Sequence, residues 1–319
     1  MKKKNVSFMM KYGKGFCQIL CILAFFILIL CSDDVCRYAA KGISVWAFSV
    51  LPVLLPFIIL ARFWIYYQLP GLFFDVFRRL LPGKPSLSVS LPLLLLGLSS
   101  GFPVGAVFIK YTFENGLLSK ESAEEMLPLC SFVSPMFLAG YIRPGFPFSK
   151  ILWRLFVLSL YLPLLLTFVW KTRKGRIRNC SKNITIKKLP DTENSSVREI
   201  WIASLEIILT IGIYMMLFTI LIGLSLECIG NNLPVLTVLV SNLEITSGYP
   251  YLVAENAFSN VCKGGILAGS ISFGGLCTMA QVYSIVTDTK LSMKPYFRSK
   301  TTTAAISFAL FAALYTLCS

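Results

Sequence analysis

Glu244 is the one charged residue between Leu233 and Tyr251, inside the apolar stretch LPVLTVLVSNLEITSGYPY. An ionised carboxylate at membrane depth costs at least about 2.5 kcal/mol, so such a residue marks an ion, proton or substrate pathway unless it snorkels or pairs with a cation such as Lys263. Shortly after it, Thr246-Ser247-Gly248-Tyr249-Pro250 repeats an earlier phrase, Ser99-Ser100-Gly101-Phe102-Pro103. In each phrase the hydroxyls can bind a ligand or cap a half-helix, glycine permits an unusual dihedral or a close approach, and proline suits the first turn after a break. Amides freed at such a break, with the positive end of the following helix, favour anionic or hydrogen-bond-accepting groups. The structural alternative is that these breaks only kink helices or let them pack closely.

Three further sets complete the candidate substrate site. Gly105 closes the tip that begins at Ser99, and Ser134 with Pro135 interrupts a later apolar span. In SFGGLCTMAQ, Gly274 and Gly275 break another span, and Thr278 and Gln281 lie three apart on one helical face. Both side chains can hydrogen-bond a planar polar substrate, and both can equally join neighbouring helices.

These residues need a membrane to position them. A chain of 319 residues that is 56% hydrophobic, with a mean hydropathy of +0.73, cannot hide its apolar surface in a soluble core, so the lipid bilayer is its main partner. The formal charge of +15 sits mainly in short basic blocks beside apolar segments, as the positive-inside rule expects, and no basic groove with interleaved aromatics points to nucleic acid. The complete lack of histidine removes His-dependent triads and most catalytic metal sites, and no paired acids or nucleophile motif suggests an enzyme. No cofactor is expected beyond a coupling ion, either proton or sodium.

The sequence order predicts an all-α polytopic membrane protein. Residues 1–42 hold a lysine-rich cytoplasmic N-terminus and an apolar run read as an uncleaved first transmembrane helix. Residues 43–170 form a first repeat and 200–319 a second. Between them, the linker 171–199 opens with eight basic residues and no acid from Lys171 to Lys188, which places it in the cytoplasm. Each repeat reads as a span, a broken hairpin with the Ser-Gly-Pro phrase at its tip, an interrupted span and a final span. Their opposite orientations make an inverted-repeat, transporter-like fold with re-entrant helical hairpins. A homo-oligomer is compatible with this plan.

At SGFPVGA (100–106), FVSPMF (132–137), LEITSG (243–248) and SFGGLCTMAQV (272–282), with VLPVLLPF (50–57) upstream, the chain resembles the YlbJ family of sporulation integral membrane proteins, which carry a Gate or nucleoside-recognition domain. The resemblance covers nearly everything after the first helix. It implies a fold similar to concentrative nucleoside transporters and a role in moving dipicolinic acid from mother cell to forespore across the outer forespore membrane. The family often has a histidine before the Ala-Gln of the last motif, where this chain has Met279. A nucleoside carrier and a non-transporting gate or scaffold subunit of a sporulation complex are the competing functions. Dipicolinate is a dianion that Glu244 would repel unless the carboxyl is protonated or a cation bridges the two. On this reading Glu244→Gln abolishes ion-coupled accumulation with folding intact, and unchanged uptake removes Glu244 from the mechanism.

Overall fold

In a computed structural model, residues 25–178, 197–230 and 233–318 are described, together with Gln18 and Ile22; most of the N-terminal run and of the linker 171–199 lies outside them. The described residues are helical with no strand, and six helical stretches are long and apolar enough to cross a membrane. In order, they form α1 (Ser32–Tyr66), α2 (Leu69–Leu80), α3 (Pro85–Ser100), α4 (Val104–Glu114), α5 (Lys120–Cys130) and α6 (Pro135–Phe137). After α6 the chain continues through a π turn (Leu138–Ile142) and a 3-10 turn (Arg143–Gly145). Then come α7 (Lys150–Arg173), α8 (Val197–Ile229), α9 (Pro234–Leu243), α10 (Ile245–Ala254), α11 (Asn260–Phe273), α12 (Gly275–Val286) and α13 (Lys294–Cys318).

Long helices form the frame. α1 and α8 run antiparallel: Arg37 reaches Glu227 at 2.7 Å, the Trp46 indole donates to Ile208 O at 3.1 Å, and Phe63 meets Trp201 edge-on. Inside α1 a π turn at Trp46–Val50 precedes Pro52, whose missing N–H leaves the Phe48 carbonyl without its usual donor, a common cause of such bulges. α13 lies antiparallel to α7, with Phe156 against Phe311 and Lys171 3.2 Å from Ser299. It is also antiparallel to α11, through Phe273 against Phe297 and Ser272 donating to Ser307 at 2.8 Å. These pairings bring the ends of α1, α4, α7 and α12 and the starts of α3, α5, α8 and α13 to one face. Arg78, Arg79, Arg173, Arg176, Arg178 and Arg198 lie toward this basic face.

Within the frame the helices stop short. α3 ends because Gly101 adopts φ 74°, ψ −174°, which a side-chain-bearing residue rarely reaches, and Pro103 then caps the start of α4. α5 stops at Cys130, and after residues 131–134 the Ser134 hydroxyl accepts from Phe137 N at 3.2 Å with Pro135 in the first turn. α9 stops at Glu244, which is extended (φ −147°, ψ 122°), and α10 begins at the next residue. α11 ends at Gly274 and α12 starts at Gly275, both in the left-handed region at φ 92° and 78°.

The repeated phrases are therefore not structural equivalents. Ser99 to Pro103 spans its break, but in the later phrase the break falls two residues earlier, at Glu244, and Thr246 to Pro250 is helical within α10. The reason lies in the cap: the Glu244 carboxylate takes the Thr246 and Ser247 amides, so the helix starts before the phrase does. Pro250 then sits inside a helix and cannot donate to Thr246 O four residues back. The Tyr141 hydroxyl fills that gap, donating to Thr246 O at 2.6 Å, while the Tyr249 hydroxyl donates to Ile142 O at 3.0 Å. Two tyrosines thus tie the turn after α6 to α10.

Removing the Tyr141 hydroxyl by Tyr141→Phe should leave a buried carbonyl unpaired and cost on the order of 1–2 kcal/mol. In a Pro250→Ala background the restored N–H serves that carbonyl, so the cost should fall toward zero. Thermal unfolding in detergent of the two singles and the double checks this. An equal cost in both backgrounds would refute the pairing.

Candidate functional site

The breaks meet. Phe102 N donates to Phe132 O at 3.1 Å, so the α3–α4 break leans directly on the one between α5 and α6. A Cβ on Gly105 would fall 2.0 Å from Cys130 O and one on Gly101 2.9 Å from Ser134 Cβ, so both glycines exist for this approach. In the C-terminal part, a Cβ on Gly248 would meet Ser241 Cα at 2.5 Å, which sets the tight packing of α9 on α10. Gly275 faces Leu243 O, which places the start of α12 against the end of α9.

At this junction lies a cavity of about 30 Å³. Its walls include Gly101, Ser134, Glu244, Thr246, Thr278 and Gln281, with Val50, Leu54, Phe102, Phe137, Ile211 and Met215 as the apolar part. Residues from all four breaks or their next turns thus contribute to one space, which is large enough for about one or two waters.

Glu244 is 6% exposed, and its carboxylate is already engaged. It accepts from Thr246 N at 2.9 Å, from Thr246 Oγ1 at 2.6 Å and from Ser247 N at 2.5 Å. The acid is stabilised where it stands by two amides of the α10 N-terminus and one hydroxyl, a site that suits an anion. Lys263 is not its partner: that ammonium donates to Val253 O at 3.0 Å. Glu244 is thus both a cap and a wall of the cavity, and the cap is a role that its sequence setting did not suggest.

Other expected site residues are spent elsewhere. Ser99 is exposed and donates to Leu96 O, as does the buried Ser100, so both hydroxyls serve the end of α3 and not the cavity. The Ser247 hydroxyl pairs with Thr219 of α8 at 2.8 Å. Gly105, Gly248, Gly274 and Gly275 shape the backbone behind the cavity without lining it.

A larger cavity, about 540 Å³, opens beside the first and shares Ile211 and Gln281 with it. It runs between α1, α4, α8 and α12 from Pro103 and Gln281 to the basic face, where Tyr66, Glu114, Glu199 and Asp288 rim it. Arg62 and Lys110 also face this vestibule, with Lys110 3.5 Å from Asp288, and so does Glu206. Sequence reading gave Arg62 and Lys110 no site role, because each stands near a helix end where basic residues are ordinary topological markers. Among the described residues, six apolar spans, helices interrupted at a common point and a cavity beside a larger vestibule define an all-helical polytopic membrane protein with an internal, partly polar site.

Comparison with known proteins gives this class a particular relative. The chain is 25% identical to the sporulation integral membrane protein YlbJ of Bacillus subtilis (strain 168) over 295 aligned residues, which cover 80% of this chain and 71% of that protein. That likeness is in keeping with the motifs quoted above. No protein-family model matches the chain, and no solved structure matches it.

The cap makes Glu244 costly to remove. Glu244→Ala should lower stability by about 1–2 kcal/mol, and Glu244→Gln, which keeps one acceptor oxygen, by less. Thermal unfolding of the purified variants reads this directly. An alanine variant as stable as the wild type would mean that the carboxylate is not the cap.

Proposed function

We propose that the protein is a sporulation-associated secondary transporter that moves a small planar polar solute, dipicolinic acid by the family resemblance, across the outer forespore membrane. The observation that carries this is the convergence of four helix breaks on a small, partly polar cavity beside a vestibule of about 540 Å³, a volume typical of sites for small molecules. Irregular backbone at membrane depth is tolerated only where protein or a water-filled space satisfies it, and transporters place their substrates at such points.

The order of elements supports an inverted repeat. α3 with α4 descends from the basic face and returns, as a re-entrant hairpin would, and α9 with α10 does so from the opposite face. α5 with α6 and α11 with α12 are interrupted crossings of opposite sense, each followed by an uninterrupted helix, α7 or α13. With the basic face in the cytoplasm, the vestibule opens inward and the cavity is closed from the other side. Alternating access then means movement of the hairpins and broken spans against the frame. This reading includes no enzyme activity and no cofactor beyond a coupling ion, proton or sodium, and it allows a homo-oligomer.

The vestibule charges favour one alternative solute. Glu114, Glu199, Glu206 and Asp288 outnumber Arg62 and Lys110 there, a balance that suits a neutral hydrogen-bonding solute such as a nucleoside better than a free dianion. On that alternative, Gln281 and Thr278 hold a base edge.

The test is the dipicolinate content of spores from a strain that lacks its own YlbJ-type protein and carries this chain instead. Restored dipicolinate is expected. If the chain reaches the membrane and dipicolinate stays low, while uridine uptake in proteoliposomes is saturable, the substrate is a nucleoside and not dipicolinate.

A further inference from the structure

We propose that Lys300 and the start of α12 form a carboxylate-binding subsite directly behind the cavity; this rests on the transport reading and names the group that takes the solute's negative charge.

Lys300 is 1% exposed, and its Nζ has no hydrogen-bond partner among the described residues. It lies 4.6 Å from the ring centre of Phe132, in the α5–α6 break, and 5.7 Å from that of Tyr296, whose own hydroxyl is also buried and unpartnered. Among the described residues, the elements around it offer no free carboxylate. Glu124 accepts from Ser292 N at 2.8 Å, Glu125 pairs with Lys171 at 2.9 Å and Arg176 at 3.5 Å, and Glu244 is held by its own cap. An ammonium with aromatic faces but no anion is far from satisfied, because cation–π contacts offset only part of the cost of leaving water.

Of the four helices that begin after a break, α6 is capped by Ser134 and α10 by Glu244, while α4 and α12 have no side-chain cap. At α12 the cap position is Gly274, and the point where its Cβ would stand is 3.8 Å from Lys300 Nζ and 4.0 Å from Thr278 Cγ2. Thr278 lines the cavity. The room that Gly274 leaves, that of about one methyl group, lies between the Lys300 ammonium and a cavity residue, at the positive end of a 12-residue helix. Both features attract a carboxylate, and together they offset the repulsion that Glu244 imposes on an anionic solute.

The experiment measures thermal unfolding of the full-length chain in detergent with dipicolinate and, separately, with uridine. Dipicolinate should raise the midpoint of the wild type and of Lys300→Arg, while Lys300→Met should need on the order of tenfold more dipicolinate for the same shift. Without ligand, Lys300→Met should unfold no lower than the wild type, because it replaces a buried polar group that has no hydrogen-bond partner among the described residues with an apolar one of similar size. Equal dipicolinate responses in wild type and Lys300→Met overturn the subsite. So does a Met variant that melts lower without ligand, since the ammonium would then be a packing element. If uridine shifts wild type and Lys300→Met alike and dipicolinate shifts neither, the subsite falls while transport survives as nucleoside transport. If neither compound shifts the wild type, both readings fall.

Discussion

Every feature of the site depends on one demand: where a helix stops inside the bilayer, its backbone N–H and C=O groups must find partners in the protein. Here the partners come mainly from other breaks and from a few long side chains. Phe102 N meets Phe132 O, the Tyr161 hydroxyl serves Val133 O at 2.9 Å, Tyr141 serves the carbonyl that Pro250 leaves free, and Tyr249 serves Ile142 O. The Phe102–Phe132 bond holds two of the breaks together, and the close approach of Gly275 to Leu243 O sets the other two side by side. The cavity lies between them.

Much of this was legible in the sequence because the signals were about solvent. Apolar runs and basic blocks gave the six described spans, and Gly101, Ser134 and Gly274 fell at or beside the observed breaks, since glycine and serine mark the positions where helical geometry ends. The second phrase misled because its spelling matched the first while its neighbour differed. Position 244 holds a carboxylate and the matching offset in the earlier phrase holds Gly97, so one segment caps itself early and the other does not. The Ser99 and Ser100 hydroxyls could not be assigned from sequence either. A serine near a break can face a ligand or bond back to its own helix, and only the backbone path decides.

The residues that sequence reading passed over are those whose meaning is set by depth. Lys300 sits seven positions into α13, in a cluster with Lys294 and Arg298 that reads as an ordinary basic flank. Antiparallel packing of α13 against α11 carries it inward, beside Gly274, where the same charge has a different consequence. Arg62 and Lys110 changed meaning in the same way once a vestibule was seen to reach them.

The two capped and two uncapped helix starts then divide the work. An acid placed on the amides of α10 closes that N-terminus to any other anion while leaving a polar wall for the cavity. The serine cap does the same for α6. The open starts are α4, at the inner end of the vestibule beside Pro103, and α12, which carries Thr278 and Gln281 on the turns that follow. On the transport reading proposed above, a solute entering from the basic face would meet α4 first and α12 next; Gln281 lines both cavities. Each half of the broken architecture thus has one capped and one uncapped start, in opposite elements: the interrupted crossing is capped in the first half and the hairpin in the second.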